Sequence, residues 1–147
     1  MKFLCDGMLG TLCKYLRICG QDAAYSNEGL KILVRAMAED RVILTRNTRL
    51  KNKLGVFFLI SENPLEQIQA VRGKYKLKGR IKFLTRCLVC NEPLSPVAKD
   101  AVRERIPYYT YKKFDAFSEC PKCRKIYWRG SHYENMVDKI KIILKLK

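Results

Sequence analysis

Two short cysteine pairs constrain this chain more than any other feature. Cys87 and Cys90 lie in "CLVC", and Cys120 and Cys123 in "CPKC". A two-residue gap lets both thiolates of one turn face a single ion, and two such turns complete a tetrahedral sulfur site. The intervening residues 91–119 are expected to be absorbed as a hairpin. A disulfide framework is the competitor, but Cys5, Cys13 and Cys19 are scattered through apolar stretches, and a cytosolic chain keeps its thiols reduced. Structural zinc on Cys87, Cys90, Cys120 and Cys123 is therefore expected. Four protein ligands leave no open position for catalysis. The three other cysteines read as small buried hydrophobes.

Upstream of these pairs the pattern alternates between strand and helix. "KFLCD" at 2–6 reads as a strand ending in Asp6. Met8, Leu9, Leu12, Leu16 and Cys19 follow at helical spacing, with Gly20 as the stop. A second strand spans 22–25, and a helix over 27–39 is expected to be capped by Asn27 and to bury Leu30, Leu33, Val34 and Met37. "VIL" at 42–44 is a buried strand, a basic helix is expected near 48–53, and "VFFLI" at 56–60 is a further strand. Pro64 then opens another helix. This alternation implies an α/β fold with a mostly parallel sheet flanked by helices.

Charge divides the chain unevenly. The formal net charge is +16; residues 1–70 carry 10 basic and 7 acidic side chains, and residues 71–147 carry 20 and 7. Such an excess draws the chain to a polyanion, most plausibly nucleic acid. Residues 71–86 hold Arg72, Lys74, Lys76, Lys78, Arg80, Lys82 and Arg86 and no acid. They read as a linker with Gly73 and Gly79 as breakers, and as an electrostatic contact surface. No stretch approaches the roughly 18 apolar residues of a membrane span. Asp6 falls inside what would be the apolar core of a leader, so a cytoplasmic protein is expected.

Four blocks, "FLCDGMLGTLCKYLRICGQDAAY", "VILTRNTRL", "RCLVCNEPLSPV" and "CPKCRKIYWRGSHYENM", together resemble the Mut-seven C-terminal RNase family. The resemblance implies a PIN-like nuclease domain, here 1–77, followed over 78–147 by a zinc ribbon with a basic linker and a C-terminal helix. It also implies an acidic site at the carboxyl ends of the strands, holding Mg2+ or Mn2+ for cleavage of RNA. Asp6 matches the first family acid and Glu28 the second. The third acid usually follows "LTR", where this chain has Asn47. An amide oxygen can bind a cation but brings no charge, so the resemblance implies a weakened site. Asp22 is a candidate replacement carboxylate, although it stands at the start of a strand. Arg46 and Arg49 flank Asn47 and are candidate RNA contacts, together with Lys74, Lys76, Lys78, Arg80, Lys82 and Arg86. The expected function is a divalent-metal-dependent endoribonuclease. The alternative is a non-catalytic RNA-binding protein associated with ribosomes or ribosomal RNA; DNA binding is a weaker third reading.

Overall fold

A strand covered on both faces needs apolar side chains at consecutive positions, and Phe3, Leu4 and Cys5 supply them. All three are fully buried in β1 (Lys2–Asp6). The computed structural model describes residues 1–146. β1 pairs in parallel with β2 (Asp22–Ser26) on one side and β3 (Val42–Thr45) on the other, and β4 (Val56–Phe58) extends the sheet beyond β3. The order is β2-β1-β3-β4, all parallel.

Alternation along the strands divides the core in two. Phe3, Cys5, Ala23 and Leu44 face one layer, where they meet Leu12 and Leu16 of α1 (Gly10–Ile18) and Ile68 and Val71 of α3 (Pro64–Tyr75). Leu4, Ala24 and Ile43 face the other, with Ile32 and Ala36 of α2 (Ile32–Glu39) and Leu50. Cys13 and Cys19 are buried with the first layer. α3 begins as its sequence requires, with Pro64 in the first turn and the Asn63 side chain accepting the Leu65 N–H at 2.9 Å.

Of the expected residues α2 partly buries only Leu33, which packs against the second layer. Ile32 and Ala36 are buried, while Leu30, Val34 and Met37 are 53%, 72% and 85% exposed. The segment "LKILVRAMA" is apolar nearly all the way round, so periodicity alone did not select a face. A 3-10 turn at Gly29–Lys31 precedes α2, and Asn27 caps neither element. The expected helix near 48–53 is a run of turns. Leu50, Lys51 and Lys53 each donate to the carbonyl three residues back, and Asn52 has a left-handed φ of 73°.

The second sheet is antiparallel: β5 (Ser95–Val97), β6 (Phe117–Glu119) and β7 (Ile126–Tyr127), in that order. The span between the cysteine pairs is more than a hairpin. It carries β5, a 3-10 stretch at Lys99–Arg105 and α4 (Tyr108–Lys113) before β6.

Residues 71–86 are not a free linker. α3 runs through Gly73 to Tyr75, and the following loop is pinned where Lys82 and Leu84 donate to the carbonyls of Cys19 and Ile18, each at 2.9 Å. Gly20 is required at this contact: its φ is 80°, and a Cβ there would stand 2.4 Å from the Lys82 carbonyl oxygen. α5 (Ser131–Leu144) returns to the first sheet, placing Val137, Ile140 and Leu144 in the layer with α1 and α3. The core therefore crosses the expected division at 77/78. Among the described residues no helix is long and apolar enough to cross a membrane.

Candidate active site and metal centre

β1 and β3 are neighbours in space but not in sequence, so their carboxyl ends diverge into different connections. Open α/β sheets bind ligands in the crevice formed at such a switch. Here the crevice has a volume of about 540 Å3 and is lined by Asp6, Gly7, Asn27, Arg46, Asn47 and Thr48, among others.

Asp6 closes β1 and is held at both oxygens. Oδ1 accepts the Gly7 N–H and Oδ2 accepts the Thr45 hydroxyl, each at 2.8 Å. Thr45 Oγ1 in turn accepts the Asn47 N–H at 2.9 Å. Each carboxylate oxygen has a further lone pair beyond these bonds. Asn47 Oδ1 accepts the Arg49 N–H at 3.0 Å, closing an Asx-type turn. The amide oxygen keeps one further lone pair but carries no charge, and the NH2 group can only donate. An Asp at this position would keep the turn with one oxygen and offer the other.

Two neighbours of Asp6 escaped the sequence reading. Thr45 is fully buried and bridges Asp6 to the loop after β3. Asn27, expected as a cap, lies so close over Gly7 that a Cβ on residue 7 would stand 2.3 Å from Asn27 Oδ1. The parallel register Asp6↔Ser26 brings it there, and a polar residue directly after an apolar strand was the available signal.

Glu28 follows nearby, exposed, with Oε2 3.4 Å from Ser26 Oγ, and it does not line the crevice. Asp22 is not in this site. It pairs with Lys2 at the amino-terminal end of β2, where Arg41 reaches Oδ1 at 2.7 Å and the Asn91 amide at 2.6 Å. Burial would raise the Asp22 carboxyl, but the hydrogen bonds from Arg41 and Asn91 outweigh it and hold the group below its ordinary value. Asp22 ties the edge strand to the first cysteine turn.

Arg46 lines the crevice but is engaged: it donates to Leu59 O at 2.8 Å and to Ile60 O, and stands 3.5 Å from Glu62. Arg49 is exposed. Lys74, Lys76, Lys78, Arg80 and Lys82 are exposed, and among the described residues none has a carboxylate within ion-pair distance. Arg86 is half-buried and donates to the Asn91 carbonyl.

The sulfur atoms of Cys87, Cys90, Cys120 and Cys123 all lie within 4.8 Å of one another, a cluster that could hold a metal ion. Each pair forms the same turn. The Cys90 and Cys123 amides donate to Cys87 and Cys120 Sγ at 3.3 and 3.4 Å, and the Asn91 and Arg124 amides to the Cys87 and Cys120 carbonyls. Asn91 and Arg124 occupy matching left-handed positions, with φ of 66° and 68°. Asn tolerates this conformation; for Arg it is strained by about 1–2 kcal/mol. The Tyr127 hydroxyl, also missed in the sequence, sits 3.1 Å from Cys87 Sγ and accepts the Leu88 N–H at 3.0 Å. Burial raises the Cys87 thiol, yet Tyr127 and the Cys90 and Val89 amides bring it down to about 7. Among the described residues this is the one group of three or more potential ligand side chains, so no cluster of three acids surrounds Asp6.

No curated protein and no solved structure matches the chain. A family model, the Mut7-C RNAse domain, matches residues 1–140. An anchored carboxylate in a switch-point crevice, a four-cysteine cluster and this match over nearly the whole length lead to one conclusion: the chain belongs to the Mut7-C RNAse domain family.

Proposed function

We propose that the chain is a metal-dependent endoribonuclease with a PIN-like catalytic unit, and that the Asp6 crevice is where RNA is cut. The observation that carries this reading is the chain of hydrogen bonds from Asn47 through Thr45 to Asp6. It fixes an ionisable acid at the position where sheets of this kind bind ligands. Membership of a ribonuclease family supports the same chemistry.

The donor set suits a hard cation in kind but not in charge. Asp6, Asn27 and Thr48 offer oxygen ligands in the crevice, and only Asp6 is a carboxylate. Mg2+ is commonly held by one or two carboxylates together with water and substrate phosphates. The residues therefore fit one Mg2+ or Mn2+, completed by the RNA itself, rather than a closely spaced pair. A bound cation would polarise the phosphate and lower the pKa of its water. Thr45 would keep Asp6 turned toward that ion, and the NH2 group of Asn47 would face a phosphate oxygen better than a cation.

The basic loop carrying Lys74, Lys76, Lys78, Arg80 and Lys82 would hold the RNA backbone, with Arg49 nearer the crevice. Zinc would hold the second sheet in a ribbon. Tetrahedral Zn–S bonds of about 2.3 Å place sulfurs about 3.8 Å apart, and Cys87 and Cys123 Sγ are 3.7 Å apart.

One observation favours the second reading, a non-catalytic RNA-binding protein: the side chain beside Asp6 is the uncharged Asn47, whose oxygen already accepts the Arg49 amide. Labelled single-stranded and structured RNA incubated with the wild type and with Asp6→Asn, with and without Mn2+, separates the two. A calorimetric Mn2+ titration reports on the cation site independently of turnover. Cleavage and Mn2+ binding that both depend on Asp6 support the nuclease; RNA binding without either supports the binder.

A further inference from the structure

Tyr108 and Tyr109 are 67% and 69% exposed, although each carries a large aromatic ring. They open α4, and each has a lysine one turn later over its ring. Lys112 Nζ and Lys113 Nζ lie 5.6 Å from the ring centroids of Tyr108 and Tyr109. An ammonium in that position steadies the ring, and the large exposure leaves the rest of each ring in solvent. Adjacent helix positions diverge by about 100°, so the rings present two separate surfaces.

Lys113 also lines a groove of about 380 Å3 with Phe114, Trp128, Arg129 and Leu84. Leu84 belongs to the loop that carries Lys82, and Lys113 stands beside Tyr109, so the groove lies between the end of α4 and the basic loop. Lys112 and Lys113 have no carboxylate within ion-pair distance among the described residues, whereas Lys99 and Arg105 are paired with Asp115 and Glu119.

We propose that α4 is a stacking platform for single-stranded RNA, with bases against Tyr108 and Tyr109 and the strand led past Lys113 into the groove of Phe114, Trp128 and Arg129. The proposal rests on the reading of RNA as ligand. Its chemistry is that of a sequence-tolerant site: aromatic faces take any base, and ammonium groups without a carboxylate partner meet the phosphates. Two diverging rings suit unstacked bases, which a single strand offers and a duplex does not. An acidic peptide would satisfy the lysines and leave both rings idle.

Trp128 is the only tryptophan and reports on the groove. The full chain, purified with zinc, is titrated with oligouridine of about 12 nucleotides, following Trp128 emission and RNA anisotropy. The expected result is emission quenched by RNA and binding about 10- to 100-fold weaker for Tyr108→Ala/Tyr109→Ala. The salt slope of that variant stays the same, and Tyr108→Phe/Tyr109→Phe restores affinity. Lys76→Ala/Lys78→Ala, by contrast, reduces the salt slope. Wild-type affinity in the alanine variant, with the lysine variant weakened, overturns the platform and leaves the nuclease standing. Equal binding of duplex RNA through the same tyrosines also overturns it. A wild type that binds no RNA overturns both.

Discussion

Thr45 donates its hydroxyl to Oδ2 of Asp6 at 2.8 Å, joining the carboxyl ends of two neighbouring strands. Thr45 Oγ1 in turn accepts the Asn47 N–H at 2.9 Å. A single buried hydroxyl thus fixes both the acid that ends β1 and the loop after β3.

Replacing it tests this role. Thr45→Val keeps the shape of the side chain and leaves the Asp6 oxygen and the Asn47 amide without their partner. The expected loss in urea unfolding is about 2 kcal/mol, together with slower RNA cleavage. Thr45→Ser should retain most of both. Unchanged stability in Thr45→Val contradicts the assignment.

Asp22 supplies a pH dependence. Its carboxyl lies below the ordinary 3.8 when folded, because hydrogen bonds from Arg41 and Asn91 outweigh burial. As pH falls, the unfolded chain takes up the proton first, so acid favours unfolding. The contribution is complete above about pH 4 and disappears as pH drops through the lowered folded value. Asp22→Asn should therefore unfold more easily than wild type at neutral pH, by about 2 kcal/mol, with the gap closing in acid. Equal unfolding at neutral pH contradicts the assignment.

Zinc removal should unfold more than the second sheet. Arg17 donates to Leu88 O at 2.8 Å, the Ala23 amide donates to Asn91 Oδ1 at 3.0 Å, and α5 carries the chain from β7 directly into the first core. Structural zinc contributes on the order of 10 kcal/mol or more to folding, and these links pass that loss on. Cys87→Ser or a chelator should lower the melting temperature of the whole chain in one transition. An α/β unit that melts as before contradicts this coupling.

If the basic loop holds RNA as proposed, it sets the salt dependence of binding. Lys74, Lys76, Lys78, Arg80 and Lys82 are exposed, and single strands lose about 0.7 log unit of affinity per phosphate per log of salt. A slope of about −3 to −4 is expected in fluorescence anisotropy. Alanine at these positions should flatten it. A slope near zero in the wild type removes the loop from the interface.

Much of this arrangement could be read in the sequence, where local rules decide. The strand–helix alternation implied the parallel sheet, the paired cysteines implied the cluster, and the apolar run at 2–6 implied a strand that Asp6 ends. What escaped depends on contacts between distant segments. Asn27 comes over Gly7 through the pairing of β1 with β2, and Thr45 meets Asp6 because β3, not β2, follows β1 on that side. α5 looked like part of the second module because nothing local marks Val137, Ile140 and Leu144 as partners of α3. α2 misled for the opposite reason: it is apolar on too many sides for its pattern to choose one.

On the proposed reading, Asn47 is the residue that limits catalysis. A carboxylate there would keep the bond to the Arg49 amide and place a second negative charge beside Asp6. A unit charge about 4 Å from a cation is worth about 1–4 kcal/mol between bulk water and a protein surface, enough for a roughly fivefold or larger gain in rate. The decisive measurement is the rate of RNA cleavage by wild type, Asn47→Asp and Asp6→Asn at one Mn2+ concentration. Cleavage fastest in Asn47→Asp, slow in wild type and absent in Asp6→Asn is the predicted result. Cleavage by Asp6→Asn at the wild-type rate, or none by any of the three at high Mn2+, contradicts an active site at the Asp6 crevice.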